Sequence, residues 1–204
     1  CGAVAALAAA TTERFGAVHV LCNNAGVTRP RVTWECSLEE WEWVIGVNLR
    51  GVVHGIKAFL PQMLAQREPA HIVNTASIGG LVAFPGLAMY AATKYGVVGL
   101  SETLANDLAL QDASVGVSVL CPGPTETDFR SHSRALHPEG DEDSGVNEYE
   151  GVRRIPPARV AAQVVDAIRT GRFWILTHPE YDTTIEQRTR AMLDDGTVVT
   201  PEIL

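Results

Sequence analysis

His71-Ile72-Val73-Asn74-Thr75-Ala76-Ser77-Ile78-Gly79-Gly80-Leu81-Val82-Ala83-Phe84-Pro85-Gly86-Leu87-Ala88-Met89-Tyr90-Ala91-Ala92-Thr93-Lys94 sets the reading of the whole chain. Its first five residues read as a short buried strand. Tyr90 to Leu110 reads as a helix. Ser77 therefore sits where a strand gives way to a loop, and Tyr90 and Lys94 lie one turn apart. Residues four apart share a helix face, so phenol and ammonium point into the same space. A neighbouring cation favours the phenolate, so the expected effect on Tyr90 is a lowered pKa. A phenol tuned this way exchanges a proton with an alcohol or carbonyl near neutral pH, and Ser77 adds a hydroxyl donor. A Tyr-x-x-x-Lys pair alone is commonplace, since a helical Tyr is usually a packing residue and a Lys a solvated one. Its neighbours along the chain give this pair meaning.

Upstream, Gly2 to Phe15 is Ala-rich and predicts a helix stopped by Gly16. Ala17 to Cys22 predicts a strand buried on both faces. It opens into Asn23-Asn24-Ala25-Gly26, small and polar, as expected beside a ligand crevice. Thr28 to Cys36 reads as a loop. Ser37 is a good N-cap, with Glu39 and Glu40 in the first turn. The helix it starts should run to about Gln66, with Pro61 a kink or break. Trp41, Ile45, Asn48 and Val52 share one stripe of it, so Asn48 is a lone amide on an apolar face. A buried amide needs partners or a task; bonding to neighbouring backbone is the plainer of the two.

Downstream, Val115 to Cys121 predicts a third strand, ended by Pro122-Gly123-Pro124-Thr125-Glu126-Thr127. Residues 128–156 are polar and read as a mobile substrate loop that can hold short helices. Pro157 starts a helix running to about Thr170, with Gly171 as its stop. Phe173 to Leu176 predicts a fourth strand, and residues 177–204 a C-terminal tail. Alternating helices and strands predict an α/β fold, a doubly wound parallel sheet with helices on both faces, over residues 1–176. Ligands bind such sheets outside the carboxyl ends of the strands. Asn24, Ser77 and Pro122-Gly123 all lie at those ends, so three strands deliver unusual residues to one rim.

Composition sets bounds. Apolar residues make up 46% and charged residues 20%, ordinary for a soluble domain. Sixteen basic residues against twenty-four acidic give a net charge of −8, which argues against nucleic-acid and anionic-membrane partners. No apolar run approaches a membrane span. Cys1, Cys22, Cys36 and Cys121 lack metal-ligand spacing, so no metal is expected; Cys22 and Cys121 read as core residues. No basic leader or cleavage region accompanies the apolar N-terminus, so the expected setting is a reduced cytoplasm. The chain opens on Cys1 rather than Met, and the expectation is that the N-terminal part of a larger domain is absent.

These motifs together resemble the short-chain dehydrogenase/reductase family in its single-domain branch. The resemblance runs from about Ala3 to Leu176. It implies that Asn24, Ala25 and Gly26 lie beside the adenosine ribose of NAD or NADP. It implies that Asn48 holds a water in a proton relay, that Ser77 orients the substrate oxygen and that Tyr90 is the general acid/base. Lys94 would hold the nicotinamide ribose and lower the phenol pKa. Pro122, Gly123, Thr125 and Thr127 match the family's Pro-Gly-x-x-x-Thr turn, where the backbone near Thr125 and the hydroxyl of Thr127 would meet the nicotinamide carboxamide or the phosphates. The implied activity interconverts an alcohol and a carbonyl in a small-molecule substrate. The implied assembly is a homodimer or homotetramer, formed through the helices of residues 37–66 and 90–110. The family's Gly-rich phosphate loop matches nothing in this sequence. Weak cofactor binding is therefore expected, and a catalytically inactive fragment or binding module is the alternative.

Overall fold

A computed structural model describes residues 2–137, 153–199 and 201. Helix α1 (Gly2–Phe15) leads to strand β1 (Val20–Asn23). Helices α2 (Leu38–Ile45) and α3 (Gly51–Ala65) precede β2 (Ala70–Thr75), and α4 (Ala88–Leu110) precedes β3 (Val115–Cys121). Short α5 (Phe129–Ala135) and long α6 (Pro157–Thr170) lead to β4 (Trp174–Leu176) and α7 (Asp182–Arg190). The four strands pair in parallel in the order β1-β2-β3-β4.

Alternating strand residues feed two cores. Leu21, Ile72 and Val117 pack with Phe59, Met63 and Leu108 from α3 and α4, and with Ala8 from α1. Val73, Leu120 and Ile175 point the other way, onto Val160, Val164 and Ala167 of α6. The first two connections thus cross one face of the sheet and the third crosses the other, so its hand is reversed. Connections that part to opposite faces leave a crevice between them at the strand ends. Here it opens at the carboxyl ends of β2 and β3.

Most predicted elements stand where the pattern put them, down to Gly16 and Gly171, both with positive φ as helix stops. Ser37 caps α2 in a full capping box with Glu40. Glu40, itself buried, also pairs with buried Arg29 at 2.6 Å, tying the segment after β1 to α2.

Three expectations need correction. The helix from Ser37 does not break at Pro61, which α3 carries internally; the irregularity is a π-helical turn over Gly46–Arg50. Strand β1 is not buried on both faces. Leu21 is covered, but Val20 is 48% exposed and Cys22 is exposed, because α6 does not reach over them. The segment read as a loop with short helices over residues 128–156 does begin with one, α5; residues 138–152 lie outside the described part of the chain. The tail expected from residue 177 begins with Thr177, His178 and Tyr181, all buried.

Candidate functional site

The crevice measures about 1310 Å³. That exceeds the ordinary pocket of a drug-sized ligand and leaves room for part of a dinucleotide and a second molecule. Asn24 and Gly26 line it after β1, and Ser77 after β2. Tyr90 and Lys94 reach it from α4, and Pro122, Gly123, Thr125 and Thr127 from the turn after β3. Two predicted residues do not line it. Ala25 faces a smaller neighbouring hollow. Asn48 is fully buried.

Ser77 follows the strand end in extended backbone and caps the tight turn Ile78–Gly80, its hydroxyl accepting the Gly79 N–H at 3.0 Å. The same hydroxyl donates to the Pro122 carbonyl at 3.4 Å and sits near enough to the Tyr90 phenol to favour its phenolate. A Cβ on Gly80 would sit 2.7 Å from the Lys94 carbonyl, so a residue without a side chain is what lets this turn lie against α4. Lys94, 2% exposed, donates from Nζ to the Thr75 carbonyl at 2.8 Å. Its ammonium lies 5.4 Å from the centroid of the Tyr90 ring.

The expected lowering of the Tyr90 pKa does not occur. Burial raises it, and the nearby Ser77 hydroxyl works in the opposite direction without prevailing. The same burial pushes the Lys94 ammonium down to about 8. Cys121, at the end of β3, has its thiol pushed up to about 12 by burial. It is an inert, protonated neighbour of the group.

Asn48 sits in the π-helical turn, a break in regular helix that turns its amide inward. Oδ1 accepts the Val27 N–H at 2.8 Å. Nδ2 donates to the Val27 carbonyl at 2.9 Å and to Thr93 Oγ1 at 3.2 Å. The side chain is thus engaged by protein, and it pins the segment after β1 against α4. A Cβ on Gly26 would project to 3.4 Å from Asn48 Oδ1 and 3.6 Å from Lys94 Nζ. Bare backbone there keeps the crevice floor open. Deeper in, Asn23 donates to Asn74 at 2.9 Å and Asn74 to Ser101 at 3.0 Å, a polar ladder crossing β1, β2 and α4.

Sequence reasoning missed Thr75, Thr93 and His178. Thr75 and Thr93 serve through a carbonyl and a hydroxyl whose importance shows only on contact. His178 had a usable clue: it stands two residues past the end of β4, at the same rim that singled out Asn24, Ser77 and Gly123.

Residues 2–137 match the family model described as short chain dehydrogenase. A dehydrogenase/reductase of CLA biosynthesis from Lactiplantibacillus plantarum is 35% identical over 197 residues, spanning 90% of this chain and 69% of that protein. The 3-oxoacyl-(acyl-carrier-protein) reductase FabG of Staphylococcus epidermidis is 44% identical over 111 residues, 54% of this chain and 44% of that one. Among solved structures, a short-chain dehydrogenase/reductase from Burkholderia phymatum in complex with NAD superposes with a TM-score of 0.89 at 38% identity. That match covers 98% of this chain and 75% of the other.

Proposed function

Because the chain belongs to the short-chain dehydrogenase/reductase family, we propose that it is an NAD(P)-dependent oxidoreductase interconverting an alcohol and a carbonyl, with Tyr90 as its general acid/base. The observation that carries this reading is the meeting of Ser77, Tyr90 and Lys94 in one crevice at the switch between sheet faces.

The residues present fit the nicotinamide end of a dinucleotide. Lys94 spends one N–H on Thr75 and is left with donors toward the crevice. Gly26 keeps one wall free of a side chain. Lys94 would hold the ribose, the segment Asn24–Gly26 the adenosine side, and Thr125 and Thr127 the carboxamide end. When bound, the nicotinamide supplies or accepts the hydride. The chain's own part is the proton. Ser77 orients the substrate oxygen by donating a hydrogen bond to it. Tyr90, kept protonated by burial, gives its phenolic proton to that oxygen as the carbonyl is reduced, and takes one back on oxidation. Reduction therefore starts from the resting protonation state, whereas oxidation needs the phenolate. Alcohol oxidation should climb with pH above neutral while carbonyl reduction does not, which paired pH–rate profiles will check.

The decisive test is Tyr90→Phe, assayed by nicotinamide absorbance over a panel of secondary alcohols and their ketones. Turnover should fall by roughly 10²–10⁴-fold, the usual weight of a positioned acid/base. Wild-type-like turnover would remove Tyr90 from the reaction. Helices α2, α3 and α4 are read as the surface that pairs with a second copy in a homodimer or homotetramer, and sizing in solution checks it.

A further inference from the structure

Resting on the reading of the crevice as a nicotinamide site, we propose that His178 is a positioning residue. It clamps the turn Pro122–Thr127 and so sets one wall of the cofactor site. Pro122 and Pro124 carry no N–H, so within Pro122-Gly123-Pro124 only Gly123 has a backbone donor. That donor goes to no strand partner. It is accepted by His178 Nδ1 at 3.0 Å. The other ring nitrogen, Nε2, lies 2.9 Å from the Pro124 carbonyl.

These two partners fix the ring. An amide N–H only donates and a carbonyl only accepts, so Nδ1 is bare and Nε2 carries the proton. Thr177 Oγ1, 2.7 Å from Nδ1, then donates to it as well. The imidazole is 3% exposed and lies flush on the turn. A Cβ on Gly123 would come within 2.7 Å of His178 Cγ, so no side chain fits between turn and ring. Outside this clamp the turn is held by the Pro122 carbonyl accepting from Ile78 at 2.9 Å and by a bridge to Ile155. His178 thus joins the end of β4 to the loop that carries Thr125 and Thr127 into the crevice.

Two conservative variants separate the two bonds. His178→Asn keeps an acceptor near the Nδ1 position, and His178→Gln a donor near the Nε2 position. Amide hydrogen exchange at Gly123, followed by NMR in the ligand-free chain, reads the clamp without any activity. Protection should persist in wild type and H178N and drop roughly tenfold in H178Q and H178A, as expected for one lost hydrogen bond. NADH and NADPH dissociation constants, from nicotinamide fluorescence, should rise in the same order, with H178A weakest by roughly tenfold. If H178A does not fold, Gly123→Ala makes the same test from the other side, because its methyl must displace the ring. Equal Gly123 protection in wild type and H178A overturns the proposal, as does a loosened turn with unchanged dinucleotide affinity. Should wild type bind neither dinucleotide, the reading of the crevice fails with the cofactor half of the proposal, while the exchange pattern still decides whether His178 holds the turn.

Discussion

The two walls of the crevice are built on different principles. On the wall from β2 and α4, side chains face the ligand space: Ser77, Tyr90 and Lys94 converge, and backbone supports them through the Gly79 amide and the Thr75 carbonyl. On the wall made by the start of the turn after β3, Pro122–Thr125, backbone and small residues face the ligand space, and a buried imidazole supports them from behind. The first wall presents chemistry, the second presents shape. Loss of a group on the first should cost turnover at nearly constant fold. Loss of a support on the second should cost affinity.

Lys94→Met tests the first wall most severely. Removing the cation should cost turnover by a factor on the order of 10² or more, within the range of groups acting on proton transfer. Stability should move the other way. The folded-state pKa of Lys94 is about 8 against 10.5 for the free side chain, so the native state resists holding this proton. Between those values the unfolded chain binds more protons, and stability rises with pH through that window. At neutral pH the buried ammonium therefore works against the fold, by up to about 3 kcal/mol. K94M should unfold at a higher urea concentration than wild type near pH 7, and the gap should close as pH rises from about 8 to 10.5. A variant both inactive and less stable at pH 7 would show that Lys94 supports the fold and would erase the contrast between the walls.

Asn48→Ala probes what both walls lean on. It frees the Val27 N–H and carbonyl and the Thr93 hydroxyl in a fully buried place. The expected cost is about 2–4 kcal/mol in urea unfolding. Dinucleotide affinity should fall as well, because Gly26 is no longer pinned beside Lys94. Unchanged unfolding would mean that water replaces the amide, and that the segment after β1 positions itself.

The same division explains what could be read from the residues alone. Ser77, Tyr90 and Lys94 lie along one strand–turn–helix, where spacing converts directly into shared direction. Strand β3 and helices α1 and α6 were legible because each has a telling composition or pattern and a clear end, as at Gly16 and Gly171. The pKa of Tyr90 was not legible. It depends on how completely the helix is covered, and burial reversed the sign expected from the charge four residues on. Pro61 misled because a proline's cost to a helix is a local rule, whereas the chain departs from regular helix at Gly46–Arg50, where Asn48 must turn toward Val27. His178 stayed hidden because its partners, Gly123 and Pro124, are more than fifty residues away and are backbone.

The smallest expected effect comes from the opposite end of the sheet, where buried polar groups face no crevice. His71 Nε2 lies 2.7 Å from Ser118 Oγ, and that hydroxyl donates to the Arg172 carbonyl at 2.7 Å. Ser118 has given its proton to a carbonyl, so Nε2 is the donor and the ring is satisfied while neutral. A Cβ on Gly116 would come within 2.6 Å of His71 Nδ1, so the strand beside it is tight against the ring. Burial lowers the His71 pKa below the ordinary 6.5. The unfolded chain then takes up a proton that the folded chain refuses. Stability is fully present above the unfolded value and is lost as pH falls below 6.5 toward the depressed folded one. His71→Gln keeps a donor near Nε2 and removes the titration. Between pH 7.5 and pH 5, wild type should lose more stability than H71Q. Turnover measured at fixed pH should be the same in both. Parallel urea stabilities across that range would mean that the ring accepts its second proton in place. A change in turnover would mean that the amino end of the sheet is coupled to the rim, and the separation drawn between supporting and reacting residues would then fail where it is expected to be cleanest.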